Sequence, residues 1–203
     1  MTFCRRVAIM IFLIILLCCG SSALQAEPPV SEPRREEFID VLGEKYTLPG
    51  PDDCKAVVLI FIGHDCPISN GYTPEIVRIC KDYMPKGVAI CVVYADADLS
   101  RVEARKHAKE YGFCCPAVLD PQMTLARRVG ATVKPEAAVL SPHGELRYLG
   151  RIDNRYADFG IRREQVTSHD LRNALDAVLA GKPVTTPRVP AIGCDIEFPK
   201  KAK

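Results

Sequence analysis

Cys66 stands where an apolar run gives way to a helical pattern, VVLIFIG at 57–63 being followed by HDC at 64–66 and PISNGYTPEIVRICKDY at 67–83. A β-branched run, then a cysteine, a proline and helical spacing put Cys66 at a strand-to-helix junction. A helix N-terminus carries about half a positive charge and unpaired N–H groups, so it favours the thiolate, the form that attacks disulfides and peroxides. A protonated His64 strengthens that effect, whereas the Asp65 carboxylate opposes it. The competing reading is a small buried hydrophobe without chemistry.

A thiol needs a partner, and the chain offers several. Of the ten cysteines, Cys4, Cys18 and Cys19 fall in a segment with Arg5 and Arg6, an apolar run at 7–19 and small or polar residues to Ala26. That pattern reads as a secretory signal at 1–26, its 13-residue apolar core short of the ~20 residues a spanning helix needs. A retained single-helix anchor is the alternative. The expected location is extracytoplasmic, secreted or periplasmic, with membrane attachment only through a retained anchor. Seven cysteines remain, an odd number, so at least one stays unpaired or pairs transiently.

Cys194, in AIGCDI beyond the last helical pattern, is the first candidate to resolve Cys66, because a tail can fold back over the site. The other reading of Cys194 is an exposed thiol or a link to a partner. Cys80 follows Cys66 by 14 residues, about 21 Å along a helix, and cannot reach it. Cys54 begins the strand that ends near Cys66, so it belongs at the far edge, and Cys91 is mid-strand. Cys114 and Cys115 are adjacent, which strains a bridge between them; one is expected to pack inward and the other to be exposed. Cys115 remains a second resolving candidate.

The positioning elements read in order. EPPVSEPRREE, spanning the 27–37 linker, is proline-rich and charged. A strand or hairpin is expected at 38–48, closed by PGPDD at 49–53, and a strand buried on both faces at Ala56–Ile62. Tyr72, Ile76, Ile79 and Tyr83 share one helix face, with Pro74 predicting a kink. Val88–Tyr94 reads as a strand, and Ser100 with Glu103 as a capping box. A short extended piece at Phe113–Asp120 precedes a helix at Met123–Val129. Ala137–Leu140 and Leu146–Leu149 form a hairpin through SPHG, and Ser168 is expected to cap a final amphipathic helix. Asp153 and Arg155 are read as a local ion pair in an otherwise solvated loop at 151–163. Three parallel crossovers and a terminal hairpin give an α/β sandwich.

The strand before Cys66, the cysteine-x-x-serine at Cys66–Ser69, the helix containing Pro74, the segment PAVLDPQMTLARRVGATVKPEAAVL and the hairpin with Gly144 together resemble the thioredoxin-like superfamily. Within it they are similar to the redoxin branch, which includes alkyl hydroperoxide reductase and thiol-specific antioxidant proteins. The resemblance covers 38–182, leaving 183–203 as a tail that carries Cys194. It implies a central mixed sheet flanked by helices, with the redoxin-type insertion before a cis-proline, a role that falls on Pro135. It also implies thiol–disulfide exchange, with a peroxiredoxin-like antioxidant activity as the alternative. Two departures matter. Ser69 replaces the second cysteine, and Gly63 stands where peroxiredoxins carry a threonine, with Leu59 in place of their proline.

No cofactor or metal is expected. The rival outside enzymes is a copper(I) carrier or an interaction module, with His64, Cys66 and His143 or His169 as soft ligands. Net charge is +2 with both signs interspersed, which disfavours nucleic acid. The expected partners are disulfide-bearing proteins, small thiols or peroxides, and an external thiol reductant.

Overall fold

The seven residues Ala56–Ile62 form a strand, β3, that is buried throughout. Val58, Ile60 and Ile62 face one core layer while Val57, Leu59 and Phe61 face the other. A strand apolar on both faces requires cover on both, and this one sits inside a six-stranded mixed sheet. The computed structural model describes residues 36–48 and 53–199. The expected signal segment at 1–26, most of the linker, and most of PGPDD lie outside them.

A short antiparallel hairpin, β1 (Glu36–Ile39) with β2 (Lys45–Leu48), precedes the main sheet. From β3 the chain enters helix α1 (Pro67–Tyr83), returns in β4 (Val88–Tyr94), crosses again through α2 (Arg101–Glu110) to β5 (Ala117–Leu119), and then forms α3 (Thr124–Val129). β6 (Val133–Lys134) and β7 (Glu136–Leu140) follow, then β8 (Leu146–Gly150), the small hairpin β9 (Tyr156–Asp158) and β10 (Ile161–Arg162), and α4 (Asp170–Leu179). The sheet order is β11-β8-β7-β3-β4-β5, where β11 is Arg188–Val189. A last strand, β12 (Cys194–Asp195), pairs with β6 instead. Helices α1 and α4 cover one face through Ile76, Ile79, Leu171 and Leu175, and α3 covers the other through Leu125 and Val129. This is the thioredoxin-like arrangement, with α2, β5 and α3 inserted between β4 and the cis-proline segment.

Ile76 is fully buried against this sheet. Truncation there removes packing from both helix and strands, so Ile76→Ala is expected to cost about 2–5 kcal/mol, read from the urea midpoint of the full chain.

Three expectations are corrected. Two parallel crossovers, β3 to β4 and β4 to β5, precede the hairpin instead of three, and a further parallel connection, β8 to β11 through α4, follows it; β7 joins β3 antiparallel, with Glu136 opposite Phe61. Helix α3 has six residues and spans about 9 Å, too little to carry the chain back along a seven-residue strand, so the chain re-enters at the end it left. The stretch 151–163 is solvated only in its second half, where Ala157–Arg163 are exposed. Ile152, Asp153, Asn154 and Arg155 are buried, and the Arg155 guanidinium bonds Asp153 and the Gly71 carbonyl while lying over the Tyr72 ring. The Asp153–Arg155 ion pair is present, at 3.3 Å. Finally, Ser168 does not cap α4; its hydroxyl bonds Asp170 Oδ1, and His169 takes the cap position without a side-chain bond. The capping box of Ser100 and Glu103 forms as expected. Helix α1 runs unbroken across Pro74.

Candidate functional site

Cys66 occupies the N-cap of α1 in an extended conformation, with Pro67 at the first helical position, where its missing N–H costs nothing. The peptide bond Lys134–Pro135 is cis, and it is here that β12 pairs with β6, Cys194 opposite Lys134 and Asp195 opposite Val133. That pairing brings Cys194 Sγ to 2.6 Å from Cys66 Sγ, where a disulfide bond measures ~2.05 Å. The segment read as a foldable tail is therefore a strand laid across the cysteine.

Burial pushes the Cys66 thiol up, but donors outweigh it: the Cys194 thiol, the Ser69 hydroxyl and the backbone N–H groups of Ser69 and Cys194 carry it below its ordinary value. The Ser69 Oγ accepts from the Gly63 N–H at 3.2 Å, which fixes the hydroxyl in place. Cys66 Sγ also lies 3.4 Å from the Lys134 carbonyl oxygen, a bond only the protonated form can make. Cys194 moves the opposite way, pushed up to about 12 by burial and by its hydrogen bond and proximity to Cys66, with Lys134 opposing. The two sulfurs are thus differentiated, the Cys66 thiol lowered and the Cys194 thiol raised. The Asp65 carboxylate raises the Cys194 thiol, and His64 is occupied with Asp96.

Ser69→Ala removes one donor to the sulfur and an acceptor for Gly63. The pH profile of Cys66 alkylation is expected to move to higher pH in this variant, because the rate follows the thiolate fraction. A profile identical to wild type contradicts this role for the hydroxyl.

Beneath the pair lies a charged support that the sequence reading missed. Lys134 Nζ meets Asp96 Oδ1 at 2.6 Å and the Ala95 carbonyl at 3.3 Å. The other Asp96 oxygen accepts the His64 N–H at 2.9 Å and lies 3.1 Å from its Nδ1. Burial raises the Asp96 carboxyl, but Lys134 and His64 outweigh it and hold it below the usual range. A second chain of bonds runs from Tyr94 through His107 to Asn70, whose amide donates to the His64 carbonyl. The available signals were the position of Lys134 just before Pro135 and of Asp96 just past β4.

The remaining thiols are elsewhere. Cys115 is buried, and its hydrogen bond with Cys80, together with burial, raises the Cys80 thiol; Cys114 is exposed. Cys115 is thus placed beside Cys80, fourteen residues along α1 from Cys66, and not beside Cys66. Cys91 is fully buried, and burial raises it. Cys54 lies before β3, at the end away from Cys66. The copper(I) set is not assembled: His143 lies in the β7–β8 turn, whose flanking Leu140 pairs with Val57 at the far end of β3, and His169 is exposed at the start of α4. His64, Asp65 and Asp96 offer donors within 4.8 Å of one another, but Asp96 already serves Lys134 and His64. A Cβ at Gly63 would sit 3.1 Å from Cys66 Cβ, leaving little room for a side chain at the peroxiredoxin threonine position. Among the described residues no helix is long and apolar enough to cross a membrane.

The Redoxin family model matches residues 33–159. No curated protein matches the chain. A hypothetical protein from Sinorhizobium meliloti is similar in structure, 28% identical with a TM-score of 0.72, over 83% of this chain and 93% of that one. An uncharacterized conserved protein from Geobacillus kaustophilus is 27% identical with a TM-score of 0.72, over 88% and 96%. A thiol-disulfide oxidoreductase from Bacteroides fragilis, 20% identical with a TM-score of 0.50 over 58% and 88%, shares the fold.

Proposed function

Because this chain belongs to the Redoxin family, we propose that it is a thiol–disulfide oxidoreductase in which Cys66 attacks and Cys194 resolves. The observation that carries the reading is the approach of the two sulfurs to 2.6 Å at a helix N-terminus, one thiol lowered and the other raised. The Cys66 thiolate attacks one sulfur of a substrate disulfide, and the other sulfur departs with the electron pair. Cys194, losing its proton, then attacks the Cys66 sulfur of the mixed disulfide and releases the substrate thiol. The substrate gains two electrons and two protons, the protein becomes a Cys66–Cys194 disulfide, and an external thiol reductant returns it to the dithiol. Pro135 holds the backbone that seats Cys194. The Arg5–Arg6 and apolar 7–19 pattern supports an extracytoplasmic setting for this chemistry.

Disulfide mapping by mass spectrometry after mild oxidation tests it. The expected product is a Cys66–Cys194 bridge at one equivalent of oxidant. Oxidation that leaves Cys66 out of every bridge and mixed disulfide defeats the reading.

A further inference from the structure

The strand that carries Cys194 is short, and its fit is unusually exacting at one position. β12 pairs antiparallel with β6, and the Ile196 N–H donates to the Thr132 carbonyl at 2.8 Å, so main-chain bonds hold it. Ile196 is buried in one core layer and Ile192 packs against the other. Between them, a Cβ at Gly193 would stand 2.1 Å from the Lys134 carbonyl oxygen, 2.5 Å from its carbon and 2.9 Å from Pro135 N. All three are backbone atoms, which cannot swing aside as a side chain can. Gly193 is not among the residues of positive φ, so glycine is required by closeness of approach and not by conformation.

We infer that the edge formed by Val133, Lys134 and Pro135 is a binding seat for an extended polypeptide in which glycine immediately precedes the reacting cysteine, and that residues 192–196 are its resident occupant. The inference rests on the proposed role of Cys66. Main-chain pairing makes the seat tolerant of most side chains, as in strand addition to a sheet edge, while the contact at the glycine position excludes even a methyl group. A substrate strand enters when the tail lifts, forms the mixed disulfide with Cys66, and departs as a thiol when Cys194 returns. Glutathione, whose glycine follows its cysteine, does not match the seat.

The test uses the full chain carrying Cys194→Ser, so that the mixed disulfide persists. Two peptides, Ala-Ile-Gly-Cys-Asp-Ile and Ala-Ile-Ala-Cys-Asp-Ile, are each loaded through cysteine with thionitrobenzoate, and release of the coloured thiol is followed. The glycine peptide is expected to react at least about tenfold faster, the scale on which one methyl group in a tight site discriminates. Equal rates, or a faster alanine peptide, overturn the inference. Free dithiobisnitrobenzoate is the control: if Cys66 reacts with it while the peptides do not differ, only the seat is wrong. A Cys66 inert to all three reagents removes the proposed function as well. In the otherwise unaltered chain, Gly193→Ala is expected to slow formation of the Cys66–Cys194 bridge, and a wild-type rate contradicts the steric argument.

Discussion

Cys66→Ser is expected to bring disulfide exchange down to the buffer background, and Cys194→Ser to permit one round and then stall as a mixed disulfide. The difference follows from the order of attack. A serine hydroxyl is not ionised near neutral pH and cannot replace the thiolate, so nothing downstream can occur. Cys194→Ser keeps Cys66 as the attacking sulfur, with a serine hydroxyl in place of the thiol donor, and removes the internal thiol that would finish the exchange. A well-oriented intramolecular group acts at an effective concentration far above the millimolar level of a free thiol, so steady-state turnover in Cys194→Ser is expected to fall on the order of 100-fold or more. Turnover with a dye-labelled disulfide and intact-mass detection of the trapped adduct separate the two variants. Equal residual activity in both would refute the division of labour.

The largest stability effect is expected at Asp96. Its side chain and that of Lys134 are only 12% and 10% exposed, and they meet at 2.6 Å. Asp96→Ala leaves an ammonium in a buried site without its counter-charge, and takes the acceptor from the His64 N–H as well. Breaking one partner of a buried pair costs about 3–5 kcal/mol, a large part of a typical domain's stability. Replacing both, as Asp96→Leu with Lys134→Met, is expected to recover most of the loss, because no lone charge remains. Urea denaturation of the three forms checks this, and a double variant no better than the single one contradicts it. The pH dependence has the same origin. The Asp96 carboxyl is held below its ordinary range in the fold, so the unfolded chain binds its proton more readily. The stabilisation is complete above the unfolded value of ~3.9 and is lost as pH falls through the folded value.

The strand-to-helix junction at Cys66 was legible because it rests on local rules: an apolar run, a cap position, and a proline at the first turn. The same holds for the capping box at Ser100 and the β7–β8 hairpin. What the sequence concealed depends on contacts between distant segments. Ser69 read as a missing cysteine, yet its hydroxyl is held by the Gly63 N–H and donates to the Cys66 sulfur. Cys194 could be named as a candidate, but the two-residue pairing with Lys134 that delivers it has no periodicity to detect. Asp153 and Arg155 read as an ion pair in the sequence and form one, but their burial and the Tyr72 ring beside the guanidinium depend on a helix far away in the chain.

Strand β11 lies parallel to β8 in register with Leu149 and Gly150, and a Cβ at Gly150 would stand 2.2 Å from the Val189 carbonyl oxygen. It covers part of a sheet edge that would otherwise invite pairing with another chain, and it anchors the arm that carries Cys194. Val189 and Cys194 are five residues apart, so when the cysteine lifts away the arm reaches at most about 17 Å from its anchor. A leash of that length keeps the second thiol close through every cycle without uncovering the edge.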